Sequence, residues 1–195
     1  MSAPALLHDV LDGAAAQYPD ALAVRHRAET RTYRWIQGES LRLAAALTAL
    51  GVQRGDRVLV AVPPGVLVPP LLFGCSRIGA VFIVLGPDTP APVAAHVLDD
   101  AMPSLVVTTS WPLQELADSR GIRAVDVQGL TLSSGGALPS FAGPAPVGPI
   151  PVDPVCFIYT SGSTAMPKAV VCTHLQVTFV ATAVQSRLRY RSDDT

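Results

Sequence analysis

Four short apolar runs, RVLVAV (57–62), VFIVL (81–85), SLVVTT (104–109) and IRAVD (122–126), recur through the middle of the chain with helix-like stretches between them. Runs of this length and character read as strands covered on both faces. The intervening helices are predicted from Pro69 or Pro70 to about Ile78, over 91–101 and over 112–119, since proline is tolerated in a first helical turn. Buried strands alternating with helices define an α/β fold, a largely parallel sheet with helices on both faces. No internal repeat is present.

Upstream, Leu6, Leu7, Val10, Leu11, Ala14 and Ala15 stand at helical spacing within 4–17. ALAVRH (21–26) and TRTY (30–33) read as short strands. A second helix follows over 33–50, with Leu41, Ala44, Ala45, Leu47 and Leu50 on its inward face. Thr32 is placed to cap it and Gly51 to end it.

Composition narrows the classes further. Apolar residues make up 49% and charged residues 15%, which argues against disorder. A net charge of −1 offers no basic stripe for nucleic acid or an anionic membrane. The segment 58–75 carries no charge, but the proline pairs 63–64 and 69–70 would each break a spanning helix. Asp9 and Asp12 near a start without a basic leader do not make a signal peptide. Cys75, Cys156 and Cys172 are scattered, as are His8, His26, His96 and His174, so no metal site is expected. Reduced thiols in a cytoplasmic protein are the expectation.

Residues 133–154 hold six Pro and four Gly in 22 positions and are expected to form a surface connector. Beyond it lie a strand (155–160), a loop, a second strand (169–173) and a helix (175–187). The loop is the chemically distinctive stretch. Thr160, Ser161, Ser163 and Thr164 offer four hydroxyls within five positions, and Gly162 removes the Cβ that would keep a ligand from the backbone. Lys168 adds a point charge suited to polyphosphate. It is the only lysine in the chain, beside 13 arginines. Neither a Walker A loop nor a GxGxxG fingerprint is present. Residue types alone leave two readings open, an anion cradle or a ligand-free Ser/Thr/Gly hairpin.

The order of the residues adds a resemblance. FIYTSGSTAMPKAVVCTH resembles the phosphate-loop motif of AMP-forming adenylating enzymes, YTSGSTG-x-PKGV-x-x-x-H. It matches at Tyr159, Thr160, Ser161, Gly162, Ser163, Thr164, Pro167, Lys168, Val170 and His174. AAAQYPDALAV (14–24), TYRWIQGESLRLAAALTALGVQRGDRV (32–58) and LFGCSRIGAVFIVLGPDTP (72–90) are similar to further segments of that superfamily, which includes acyl-CoA synthetases and nonribosomal peptide synthetase adenylation domains. The form of the motif is closest to the peptide-synthetase domains. There are departures. Ala165 and Ala169 replace glycines, Gly86 stands where an Asp is usual and Val84 where a Pro is, and Pro69-Pro70 interrupt a helix that is ordinarily unbroken.

The resemblance implies that residues 1–195 are a single truncated AMP-binding domain, an incomplete portion of the large N-terminal domain of adenylate-forming enzymes. It implies an ATP-dependent ligase that activates a carboxylate, an amino acid or related acid, as its acyl-adenylate. Thr160, Ser161, Gly162, Ser163, Thr164 and Lys168 would bind Mg-ATP through its phosphates. No catalytic or metal-ligating residue carries over, so the chain alone is not expected to catalyse. Implied partners are the small-molecule carboxylate, a carrier protein, and a second chain supplying the remaining half; an uncovered sheet edge also favours self-association. The alternative is a non-catalytic remnant acting as a binding or interaction module.

Overall fold

The structure, a computed structural model, describes residues 4–133, 148–160 and 166–188. Helix α1 (Leu7–Gln17) buries Leu11 and Ala15. The Asp9 carboxylate accepts the Leu6 N–H at 2.9 Å, satisfying a donor that the helix start leaves open. Strands β1 (Leu22–His26) and β2 (Glu29–Thr32) form a separate antiparallel pair. Helix α2 (Tyr33–Ala49) starts where the sequence places it, with Thr32 Oγ1 accepting the Trp35 N–H at 3.3 Å. It stops ahead of Gly51, whose φ of +91° is the left-handed value that suits glycine.

One detail of α2 differs from expectation. Leu41 is 42% exposed, and the buried stripe runs instead through Ile36, Ser40, Leu43, Ala44 and Leu47. Those positions recur about every three to four residues from Ile36, which places Leu41 about a third of a turn from the centre of the stripe.

The alternating region is built as read. Strand β3 (Arg57–Ala61) leads to α3 (Val68–Arg77), β4 (Val81–Val84), α4 (Ala91–Ala101), β5 (Leu105–Thr108), α5 (Trp111–Asp118) and β6 (Arg123–Val125). Helix α6 (Val127–Ser133) follows, then β7 (Pro154–Thr160), β8 (Lys168–Thr173) and α7 (His174–Leu188). The main sheet has the order β6-β5-β3-β4-β7-β8. Its neighbours pair in parallel except β7 with β8, which are antiparallel.

Both faces of the sheet are covered around β3. From β3, Val58 and Val60 join Leu43, Leu47, Leu71 and Leu105 under α2 and α3. The intervening Leu59 and Ala61 join Ile83, Val97, Leu98 and Leu113 under α4 and α5. The period of two along one strand thus feeds two cores. Where α3 crosses α2, Gly74 permits the approach: a Cβ there would lie 3.2 Å from the Ala44 nitrogen and from the Ser40 oxygen. Arg77 then ties α3 to α1 through both carboxylate oxygens of Asp12, at 3.0 and 2.5 Å.

Pro69 and Pro70 do not interrupt a helix. They sit in the first turn of α3, which begins one residue earlier, at Val68, than the sequence suggests. Helix α6 has no counterpart in the sequence pattern, although Asp126 marks its start by accepting the Gln128 N–H at 2.7 Å. Of the expected connector, 134–147 lie outside the described residues. Its final stretch is firmly held rather than loose. Asp153 pairs with Arg54 at 2.8 Å, and the Pro151 and Asp153 carbonyls accept the first two N–H groups of α7.

Candidate functional site

All parallel strands of the sheet end at one edge, where ligands of open α/β sheets bind. Two places on that edge are candidates. The first is the crevice between β3 and β5, whose following helices lie on opposite faces. It encloses about 510 Å³ beside Arg27, Val62, Pro63, Leu67 and Thr109. An anion there would look to the N-terminus of α3 for donors. Three of its donors are missing or taken: the Val68 N–H is held by the Gly65 carbonyl, and Pro69 and Pro70 carry no N–H.

The second place is the mouth of the β7–β8 hairpin, where the sequence puts its donors. Thr160 ends β7, Lys168 begins β8, and the two are register partners. Both are exposed. The Lys168 amine makes no hydrogen bond or ion pair to any described residue. Ser161, Gly162, Ser163, Thr164 and Ala165 lie outside the described residues. Ala169 is an ordinary strand residue opposite Tyr159.

The hairpin overhangs the sheet. β7 pairs with β4 only at Cys156 and Phe157, whereas its ladder with β8 runs on to Thr160. Two side chains of α4 reach the overhang. The Tyr159 hydroxyl donates to Asp100 Oδ2 at 2.6 Å. Burial, then the Asp100 carboxylate, push this phenol above its ordinary pKa. His96 Nε2 lies 2.8 Å from the Pro167 carbonyl, which can only accept, so the nitrogen carries the proton. The sequence reading gave His96 no role; its i, i+4 spacing from Asp100 was the available signal.

The last residue of the loop motif does different work. His174 opens α7 at the opposite end of β8, about 20 Å from the mouth by strand geometry. It is fully buried. Its Nδ1 accepts the Leu7 N–H at 3.0 Å, joining α7 to the start of α1, and its ring meets His8 edge-on at 6.3 Å. Burial, with His8 beside it, lowers its pKa to about 4, so it is a neutral structural imidazole. His174 and His8, scattered in the sequence, are thus brought together. So are Cys156 and Cys172, which face each other across β7 and β8. Burial pushes both Cys75 and Cys156 up to about 12, with Cys172 adding to the rise at Cys156.

Among the described residues no three metal-binding side chains cluster, and no helix is long and apolar enough to cross a membrane.

The comparisons decide the family. The model of the AMP-binding enzyme family matches residues 11–195. The chain belongs to that family. Over 160 residues it is 39% identical to an isonitrile lipopeptide synthase of Streptomyces coeruleorubidus, covering 82% of this chain and 11% of the relative. It is 33% identical to a feruloyl-CoA synthase of an Amycolatopsis species, covering 92% of this chain and 36% of the relative. Among solved structures, VinN in complex with 3-methylaspartate superimposes with a TM-score of 0.84 at 31% identity, over 97% of this chain and 53% of that one. This AMP-binding chain therefore spans about half the length of that structure and less of those two curated relatives. Its fold is part of the N-terminal domain of adenylate-forming enzymes.

Proposed function

We propose that this chain is the phosphate-binding portion of an ATP-dependent, AMP-forming ligase that activates an amino acid or related acid. The observation that carries the reading is the hairpin mouth: an exposed lysine, with no partner among the described residues, stands across the ladder from Thr160 at the carboxyl edge of a parallel sheet. In the reaction, a substrate carboxylate oxygen attacks the α-phosphorus of ATP, the bond to the bridging oxygen breaks, and pyrophosphate leaves with that electron pair. Thr160, Ser161, Ser163 and Thr164 would donate hydroxyl hydrogen bonds to the departing phosphates, with Gly162 allowing backbone approach. The Lys168 ammonium would neutralise charge as it builds on them. Mg²⁺ would enter on the nucleotide's own phosphates, in keeping with its preference for retained water and phosphate oxygens.

The acyl substrate, the carrier protein and the remaining half of the ligase belong to this proposal as well. Phe179, Val180 and Leu188 of α7, with Val170 and Val171 of β8, are exposed apolar side chains. They would form surfaces, Val170 and Val171 on opposite faces of the sheet, on which the rest of an adenylating enzyme packs, on this chain or another, and would favour self-association when left open.

The test is titration with Mg-ATP and with pyrophosphate. Wild type should bind, and Lys168→Ala should bind at least about tenfold more weakly, the loss expected of a charge-assisted contact. Equal, weak binding by both would replace this reading with that of a non-catalytic remnant.

A further inference from the structure

The last three rungs of the β7–β8 ladder, Ile158–Val170, Tyr159–Ala169 and Thr160–Lys168, lie beyond the point where β4 stops pairing with β7. A two-stranded ribbon on its own is marginal in water. Among the described residues β8 is moreover the outer strand of the sheet. Yet this ribbon must present Lys168 at a fixed place, because misplacing a charge by about 1 Å can undo its contribution to a phosphate site. Something outside the ladder has to hold it.

We propose that His96 and Asp100 of α4 are positioning residues for the phosphate-binding loop, anchoring both stems of the hairpin at its mouth and thereby placing Lys168. They stand one turn apart on a helix whose Val97, Leu98 and Ala101 are sunk in the core, so the anchor itself is rigid. Asp100 holds the first stem through Tyr159, the residue before Thr160. His96 holds the second through the Pro167 carbonyl, the residue before Lys168. Each contact falls beside the mouth pair, one on the last residues of β7 and one just before β8 begins. A Pro167 N–H is absent, so the carbonyl is the only backbone hydrogen-bonding group by which this residue can be gripped.

This inference rests on the proposed phosphate-binding role, and the experiment separates the two. Amide hydrogen exchange is followed on nucleotide-free protein, and Mg-ATP affinity is measured for wild type, His96→Ala, His96→Gln and Tyr159→Phe. Thermal melts verify that each variant folds. In His96→Ala and in Tyr159→Phe, amides of 158–160 and 168–170 should exchange about tenfold faster while those of β3 and β5 stay unchanged. Mg-ATP affinity in both should fall by about fivefold to tenfold with Lys168 intact. His96→Gln, which can return a donor near the Nε2 position, should recover most of both. Unchanged exchange in folded His96→Ala overturns the anchoring. Faster exchange with unchanged Mg-ATP affinity, or a failure of Gln to rescue, overturns the positioning role. If wild type binds no Mg-ATP, the proposed function itself fails; exchange then shows whether the anchor exists, with nothing left for it to position.

Discussion

The two ends of the β7–β8 hairpin are built on opposite principles. At the mouth, Thr160 and Lys168 are exposed, and the amine has no partner among the described residues. At the far end, His174 is fully buried, its Nδ1 committed to the Leu7 N–H and its protonation suppressed. Both belong to one sequence motif. A motif residue can therefore be kept for the ligand or for the frame that holds the ligand site, and only the fold tells which.

The largest expected effect lies at the far end. His174→Ala removes a buried ring and orphans the α1 donor, and should cost about 2–4 kcal/mol in urea unfolding. Nucleotide affinity of the molecules that remain folded should be unchanged. A folded His174→Ala protein that loses Mg-ATP binding would break the division of labour.

The second effect is on pH. His174 has a folded pKa of about 4 against the ordinary 6.5, and His8 is also lowered, by burial and then by Arg77. Folded pKa values below the unfolded ones mean that the unfolded chain takes up protons first, so stability falls as pH drops from 6.5 towards 4. His174→Asn, which keeps an acceptor for Leu7, should flatten that limb in a urea-midpoint profile. The more acidic limb should persist. Burial raises the Asp12 pKa, but hydrogen bonds from Arg77 and Gln37 outweigh it, so this carboxyl loses its contribution only below its ordinary value of 3.8. An unaltered His174→Asn profile between 6.5 and 4 would remove His174 as the cause.

At the mouth the effects are functional and smaller in energy. Lys168→Ala should leave the melting temperature within the scatter of surface substitutions, about 0.5 kcal/mol, while weakening Mg-ATP at least about tenfold. Smallest of all, Ala165→Gly should tighten Mg-ATP by a few-fold, about 1 kcal/mol at most, if that position needs a left-handed backbone. No gain would show that the alanine is tolerated.

The sheet and its flanking helices were legible because burial on both faces leaves continuous apolar runs, as at Val58–Val62, and because Thr32 and Gly51 mark helix ends chemically. Leu41 was misplaced because α2 keeps both Leu41 and Leu43, and only contact with the sheet decides which faces in. Helix α6 is a short helix whose one strong signal is the Asp126 cap. At the site, Thr160 and Lys168 were legible as neighbours across a hairpin, which the register bears out. The anchors His96 and Asp100 were not, because they lie about 60 to 70 residues from their partners in sequence and only the crossover from β4 to α4 brings them there.

The exposed amine at the hairpin mouth has a practical corollary. In a chain with a single lysine, an amine-directed reagent finds one side-chain target, so acylation followed by mass spectrometry reads occupancy of that spot directly. A nucleotide that shields the modification would report its own residence there, without any substitution having disturbed the protein.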